Sequence, residues 1–300
     1  MGEPTILHAL GKSIELRVPG TSGGEQTRWR YIYGGKPKPG FHPLCTPAGH
    51  VLTNYEPTDH VWHRGLWFTI KFINEENFWE ERPPYGTQRT PTPPDIAHRP
   101  DGTIAIRQVI NWVRPERESA VIHEMRAIEY HEPDLDFPAY ALDFSFELTF
   151  ESDALLDRTP FTTWGGYGGL ILRGNRNWTQ TRILFPDGST SDRPAPVRAE
   201  WCDLSGKLDG GPDLIGGVTI FDHPDNPRHP TPWYGTVGSG HYINAAFLFD
   251  EPMSVGAGDV LRLRYRALVH DDMPGCDALN DAYQTYLARS PSHAASEAGA

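Results

Sequence analysis

The chain has 300 residues, with 27 Lys and Arg against 39 Asp and Glu, a net charge of −12, and 38% hydrophobic and 11% aromatic residues. An acidic chain without a basic block cannot neutralise a run of phosphates, which speaks against nucleic acid as a partner and against anionic membrane surfaces. Its 30 Gly and 28 Pro fall short of the roughly 25–30% that marks disorder, and 9 Trp, 12 Tyr and 13 Phe are enough for a large core.

The opening Met1-Gly2-Glu3-Pro4-Thr5 has neither the basic nor the apolar region of a signal peptide, and Ile6 stands where a myristoylation signal needs Ser or Thr. No stretch approaches the roughly 18 apolar residues of a membrane span. Cys45, Cys202 and Cys276 are odd in number, far apart and form no C-x-x-C pair, which argues against a disulfide framework and a zinc knuckle. A cytoplasmic protein is expected.

Along the chain the apolar period is mostly two. Alternation or short apolar runs predict strands over 13–18, 29–33, 66–73, 103–113, 120–130, 140–150, 167–173, 216–222, 244–249 and 261–266. In 142–150 the even positions Leu142, Phe144, Phe146, Leu148 and Phe150 form an apolar face opposite Asp143, Ser145, Glu147 and Thr149. In 261–266, Arg262, Arg264 and Arg266 form one polar stripe. Turn clusters such as Pro37-Lys38-Pro39-Gly40 and Asp209-Gly210-Gly211-Pro212 separate these runs, and the proline-rich 83–100 segment reads as a long loop. A helix is expected only over 277–289, where Leu279, Ala282, Tyr283, Tyr286 and Leu287 recur at three and four residues after a capping Asp277. The expectation is an all-β fold, a large antiparallel two-sheet β-sandwich with one short C-terminal helix, forming a single domain over 1–289 with a frayed tail at 290–300.

The densest polar cluster is Asn54-Tyr55-Glu56-Pro57-Thr58-Asp59-His60-Val61-Trp62-His63-Arg64-Gly65, just before the strand at 66–73. Two imidazoles, two carboxylates and a guanidinium within nine residues, on a loop feeding a rigid strand, is an arrangement from which sites are built. It is equally the composition of a hydrogen-bonded corner. In extended chain His60 and His63 would face opposite ways, so their joint use requires a turn near 57–63, for which Pro57 is suited. Farther on, Phe78-Trp79-Glu80-Glu81 adds an aromatic ring and two carboxylates, of which Glu80 could serve as an acid if burial raised its pKa.

Trp164-Gly165-Gly166-Tyr167-Gly168-Gly169 leads into a strand ending at Arg173, so its glycines are not the strand-to-helix loop of a nucleotide fingerprint. Glycine in a strand marks a bulge or a close approach by backbone or ligand, which makes Trp164, Tyr167 and Arg173 a candidate binding platform, with ordinary sheet packing the alternative. A second polar cluster, Asp222-His223-Pro224-Asp225-Asn226-Pro227-Arg228-His229-Pro230, follows the strand at 216–222. Three prolines would hold Asp222, His223 and His229 rigidly, either as a site or as a stiffened turn. Both clusters place Asp-His at a strand boundary with another His three or six residues on. No G-x-S-x-G occurs and no cysteine adjoins a histidine, so acid–base or metal-assisted chemistry is favoured over a covalent route. His60, His63 and His223 with Glu80 or Asp222 would suit a borderline divalent ion, but no H-E-x-x-H motif is present. A divalent metal stays open, and no other cofactor is indicated.

Phe41-His42-Pro43-Leu44-Cys45-Thr46-Pro47, Asp59-His60-Val61-Trp62-His63-Arg64-Gly65-Leu66, Phe78-Trp79-Glu80-Glu81, Gly169-Leu170-Ile171-Leu172-Arg173, Trp201-Cys202-Asp203 and Gly217-Val218-Thr219-Ile220-Phe221-Asp222-His223-Pro224 together resemble the PmoA-like domain family. The family's name refers to a membrane methane oxygenase, which the absence of apolar spans contradicts. The resemblance implies a galactose-mutarotase-like supersandwich and a setting in carbohydrate catabolism, with an imidazole acid and a carboxylate base on the face of a sheet. It thereby implies a sugar or glycoside as partner. His63, His223 and His60 are candidates for the imidazole role and Glu80, Asp59 or Asp222 for the carboxylate, while His42, Arg64, Trp164, Tyr167, Arg173, His229 and Trp233 are candidates for substrate contact.

The leading expectation is acid–base chemistry on a sugar, by elimination or hydrolysis of a 3-keto-glycoside. A C3 carbonyl acidifies the C2 proton, and Arg64 or Arg173 would steady the enolate. The alternatives are an epimerase or mutarotase, a plain glycoside hydrolase, and a non-catalytic sugar-binding sandwich stacking sugars on Trp62, Trp67, Trp164 and Trp233.

Overall fold

The computed structural model describes residues 4–20, 23–115, 119–158, 167–193, 196–211, 213–238 and 240–289. The expected frayed tail at 290–300 and Trp164 lie outside them. Among the described residues the chain builds two large antiparallel sheets and one helix, Cys276–Arg289. The first sheet runs in the order Thr5–Ala9, Ser13–Pro19, Glu25–Ile32, Gly40–Leu44, Leu66–Ile70, Gly168–Arg173, Tyr242–Ala245, Pro232–Thr236 and Val197–Arg198. The second runs Thr179–Leu184, Trp201–Lys207, Ile215–Asp222, Val260–Asp271, Ala139–Phe150, Ala120–His131, Ile104–Val113 and Thr87–Arg89, with Asp95–His98 also paired to Ile104–Val113. A small third sheet joins Met253–Val255, Ala154–Asp157, Phe72–Ile73 and Glu76–Asn77.

The core lies between the two large sheets because each strand sends alternate side chains inward. Leu66, Phe68 and Ile70 of the first sheet meet Phe144, Phe146 and Leu148 of the second in one buried cluster, where Phe68 stacks on Phe146 at 4.0 Å. The expected alternation holds from Leu142 to Phe150, whereas Tyr140, Ala141 and Leu142 are buried in succession because Ala141 lies under the helix. The predicted arginine stripe also stands, each arginine of Val260–Asp271 facing a residue of Ala139–Phe150: Asp143 opposes Arg266, Ser145 opposes Arg264 and Glu147 opposes Arg262.

The outer faces differ. On the second sheet, Ala141, Trp201, Phe221 and Leu268 are covered by Leu279, Ala282, Tyr283 and Tyr286 of the helix. This helix starts one residue before the predicted position, so Asp277 lies in its first turn, where a carboxylate favours the N-terminal dipole. On the first sheet, Trp67, Ile171, Tyr234 and Tyr242 cluster with Trp62 and Trp79 and no helix covers them among the described residues.

Two predicted strands are shorter than expected. The run at 66–73 breaks at Lys71, leaving Leu66–Ile70 in the first sheet and Phe72–Ile73 in the third, and the run at 244–249 is the strand Tyr242–Ala245. No described helix is long and apolar enough to cross a membrane.

Candidate functional site on the outer face of the first sheet

Residues 56–63 fold into two successive turns, in which His60 N donates to Pro57 O at 2.9 Å and His63 N to His60 O at 2.9 Å. This is the turn that joint use of the two histidines requires, and their rings lie 4.7 Å apart. Gly65 then carries the chain under the neighbouring strand. Its φ is +73°, and a Cβ there would meet Phe41 O at 2.1 Å, so only glycine fits.

Arg64 is buried behind this loop rather than in the site. Its Nη1 donates to Val61 O and to Glu56 Oε1, both at 2.8 Å, and its Nη2 pairs closely with Glu81. The buried Lys38 donates to the same Glu81 and to Trp79 O, both at 2.8 Å, so these ion pairs pin the loop to the segment carrying Trp79 and Glu80. Burial lowers the Lys38 pKa to about 8 against the pull of Glu81.

In front of this pin lies a cavity of about 270 Å³. The loop supplies Asp59, His60, Trp62 and His63, the broken strand and the bend after it supply Lys71, Trp79 and Glu80, and the central strands supply Tyr167, Arg173, Tyr234 and Tyr242. One wall is aromatic: Trp79 stacks on Tyr167 at 4.5 Å, and Tyr167 meets Tyr234 edge-on at 5.8 Å. His63 is packed against Trp67 at 4.9 Å and Tyr242 at 5.7 Å.

Polar groups are paired across the cavity. His60 Nδ1 lies 3.0 Å from Asp59 Oδ2, Arg173 Nη2 lies 3.5 Å from the same oxygen, and Arg176 pairs closely with Asp59 Oδ1. Lys71 Nζ lies 2.6 Å from Glu80 Oε1 and 5.3 Å from the centre of the Tyr167 ring. Burial, reinforced by the positive charge of Arg173, drives the His63 pKa well below the ordinary imidazole value, so its ring is neutral at neutral pH. Burial would raise the Asp59 pKa, but the hydrogen bond with His60 and the charge of Arg173 prevail and hold it low. Burial also raises the Tyr167 and Tyr242 pKa values, which keeps both hydroxyls protonated.

Several buried polar atoms at this cavity lack a hydrogen-bond partner among the described residues: His63 Nδ1, Trp62 Nε1, and Nε and Nη2 of Arg173. Such atoms cost about 1–3 kcal/mol each. At a cavity such atoms are open to the hydrogen bonds of a ligand.

The second Asp-His cluster is elsewhere. Asp222 Oδ2 accepts from His229 Nδ1 at 2.8 Å and Thr231 N at 3.0 Å, its Oδ1 accepts from Asn226 Nδ2 at 2.7 Å, and its backbone oxygen takes the Tyr283 hydroxyl at 3.1 Å. His223 is buried, accepts from Asp225 N at 3.1 Å and packs edge-on against Tyr286 at 5.6 Å. Asp222, His223 and His229 thus build a corner between the second sheet and the helix, and none lines the His63 cavity.

Three more candidates fall outside the cavity wall. His42 stacks on Tyr55 at 5.2 Å and lies 3.0 Å from Thr53 Oγ1, burial and the Arg30 charge lowering its pKa to about 4. Trp233 points into the core and donates to Ala199 O at 2.9 Å, because the strand's alternation turns Tyr234 outward instead. Arg64 is held by its carboxylates. His60, His63, Asp59, Glu80, Tyr167 and Arg173 do converge as expected. Among the described residues no group of three or more His, Cys, Asp and Glu is placed to hold a metal ion, since Asp222 and His223 are remote from His60 and His63.

Reading by motif misses Lys71, Tyr234 and Tyr242. Lys71 had a signal, a lone charge inside the apolar run Leu66-Trp67-Phe68-Thr69-Ile70-Lys71-Phe72-Ile73. Tyr234 and Tyr242 had none that separates them from core tyrosines, since they reach the site only through the pairing of Pro232–Thr236 with Tyr242–Ala245.

Fold and site together define a two-sheet β-sandwich with an aromatic-walled polar cavity on one outer face. The chain belongs to a family of unknown function, DUF6807, whose model matches residues 19–284. This match corrects the resemblance to the PmoA-like family, which nothing in the comparison supports. No curated protein matches the sequence at a significant level.

Proposed function

We propose that the protein acts on a sugar or glycoside in this cavity by acid–base chemistry, in an elimination or hydrolysis of a 3-keto-glycoside. The observation that carries the reading is the neutral His63 ring, its Nδ1 without a hydrogen-bond partner among the described residues, beside the Asp59–His60 pair and facing an aromatic wall that suits the apolar face of a sugar. In the elimination, neutral His63 takes the C2 proton made acidic by the C3 carbonyl. Lys71 faces the enolate oxygen as charge develops there. The C1–O bond then breaks and the departing oxygen takes a proton from His60, which Asp59 holds in place. Hydrolysis requires water to add to the resulting unsaturated product. The three cysteines are free, which suits a reducing compartment, and we place the protein in the cytoplasm.

The test is aglycone release from matched glucosides and their 3-keto derivatives by wild type and His63→Ala. Release from the keto forms alone, lost in the variant, is the expected result. Undiminished turnover in His63→Ala would remove the mechanism. The aromatic wall also favours a second reading, a sugar-binding sandwich without turnover. Binding abolished by Trp79→Ala and tolerant of His63→Ala, with no aglycone released, would select it.

A further inference from the structure

Of the two buried cations that line the cavity, Lys71 and Arg173, the proposed chemistry leaves Arg173 unused. Arg173 is only 4% exposed, lies on a central strand of the first sheet and lines the cavity, yet its Nε and Nη2 find no hydrogen-bond partner among the described residues. Its ion pair with Asp59 is 3.5 Å long, and that carboxylate is 44% exposed and shared with Arg176 and His60. A buried guanidinium is retained when an anion with matching geometry satisfies it. Gly240 sets that geometry: a Cβ at this position would lie 2.6 Å from Arg173 Nη1, so backbone packs directly against the fork.

We propose that the ligand of this cavity is a sugar acid, whose carboxylate is received by Arg173. The inference rests on the carbohydrate reading above and names the substrate class of that same site. The charges agree with it. Lys71 is matched by Glu80, while Arg173 and the exposed Arg176, which stands outside the cavity lining, share the single carboxylate of Asp59, so this pair of guanidinium groups carries one charge more than its carboxylate. A single unbalanced charge and a planar fork suit a monoanionic carboxylate rather than a phosphate dianion. The volume of about 270 Å³ falls below the roughly 300–1,000 Å³ of drug-sized pockets and suits one sugar unit.

The test is calorimetric titration of the full chain with the methyl glycosides of glucuronate, galacturonate and mannuronate, each against its neutral hexose counterpart, and with glucose 6-phosphate. At least one uronide is expected to bind about tenfold or more tightly than its neutral counterpart, the order of gain of a charge-assisted fork. Arg173→Gln is expected to erase that ratio, and Arg173→Lys to restore part of it. Neutral sugars that bind as tightly as every uronide would overturn the inference alone, as would glucose 6-phosphate binding more tightly than all uronides. Absence of binding by every sugar would overturn the carbohydrate reading and the inference together. The wild-type ratio needs no substitution, so a variant that fails to fold leaves the test decisive.

Discussion

Residues 59–63 and 222–229 read alike in the sequence, each an Asp-His pair at the edge of a strand with a further histidine shortly after, and the fold gives them opposite fates. Around Asp222 both carboxylate oxygens are occupied, by His229, Thr231 and Asn226, and the helix closes over the corner. Around His63 the imidazole is buried without a hydrogen-bond partner on Nδ1, and the adjacent His60 and Asp59 are 43% and 44% exposed. The two regions contain the same residue types. What separates them is saturation: a polar cluster whose hydrogen bonds are spent inside the protein holds the fold, and one whose bonds remain unspent at a cavity is available to a ligand.

Substitutions in the two regions should have opposite consequences. His63→Phe keeps an aromatic ring against Trp67 and Tyr242 and removes the unpartnered nitrogen. It should lower aglycone release from keto-glycosides at least about 100-fold while changing the unfolding free energy by less than about 1.5 kcal/mol. Asp222→Ala should do the reverse, costing about 3 kcal/mol in denaturant unfolding because the buried Thr231 N and Asn226 Nδ2 and the partly buried His229 lose their acceptor, with activity per folded molecule retained. A loss of similar size is expected for Arg266→Ala. That side chain is 1% exposed, makes bonds of 2.6 and 2.8 Å to Asp143, and lies 4.7 Å over the Tyr286 ring. Activity that disappears in folded Asp222→Ala would place the second cluster in the chemistry after all.

Acid should expose the neutral histidines on and beside the first sheet. Both His63 and His42 have folded pKa values below the ordinary imidazole value, His42 at about 4. Between about pH 6.5 and pH 4 the unfolded chain therefore binds more protons than the folded one, and stability falls as pH falls through this window, while above it no such cost exists. His42 alone should account for about 1–3 kcal/mol by pH 4. Denaturation curves for His42→Gln, which can retain a bond to Thr53, should show a flatter decline over this range. An unchanged slope would show that His42 carries its proton in the fold.

The sandwich was legible because most of its core strands carry their own signal: Leu142, Phe144, Phe146 and Leu148 alternate without interruption, and the opposing arginines mark the other face. Strands such as Trp201–Lys207 and Pro232–Thr236 were not, since Asp203, Ser205 and Gly235 interrupt their apolar pattern and only pairing in the sheet makes them regular. Of the site, the loop half was legible from the density of polar residues at 56–64. The sheet half depends on which strands become neighbours. Gly168–Arg173 lies between Leu66–Ile70 and Tyr242–Ala245, and that order brings Arg173 and Tyr242 beside His63. Which Asp-His cluster would be saturated was not legible, because Thr231 and Asn226 look like any polar turn residues until the chain has folded back on Asp222.

The smallest effect is expected within the arginine stripe itself, and it tests whether saturation or mere proximity of charge decides a residue's contribution. Arg262 opposes Glu147 just as Arg266 opposes Asp143, but the two side chains of the first pair are 50% and 46% exposed and 3.5 Å apart. Water already solvates both partners there, and holding two long side chains together costs rotamer entropy that the screened attraction barely offsets. Arg262→Ala should therefore change the unfolding free energy by less than about 0.5 kcal/mol, and the effect should shrink further in salt. A loss approaching that of Arg266→Ala would mean that charge pairing across these strands, rather than burial with fully used hydrogen bonds, fixes their register.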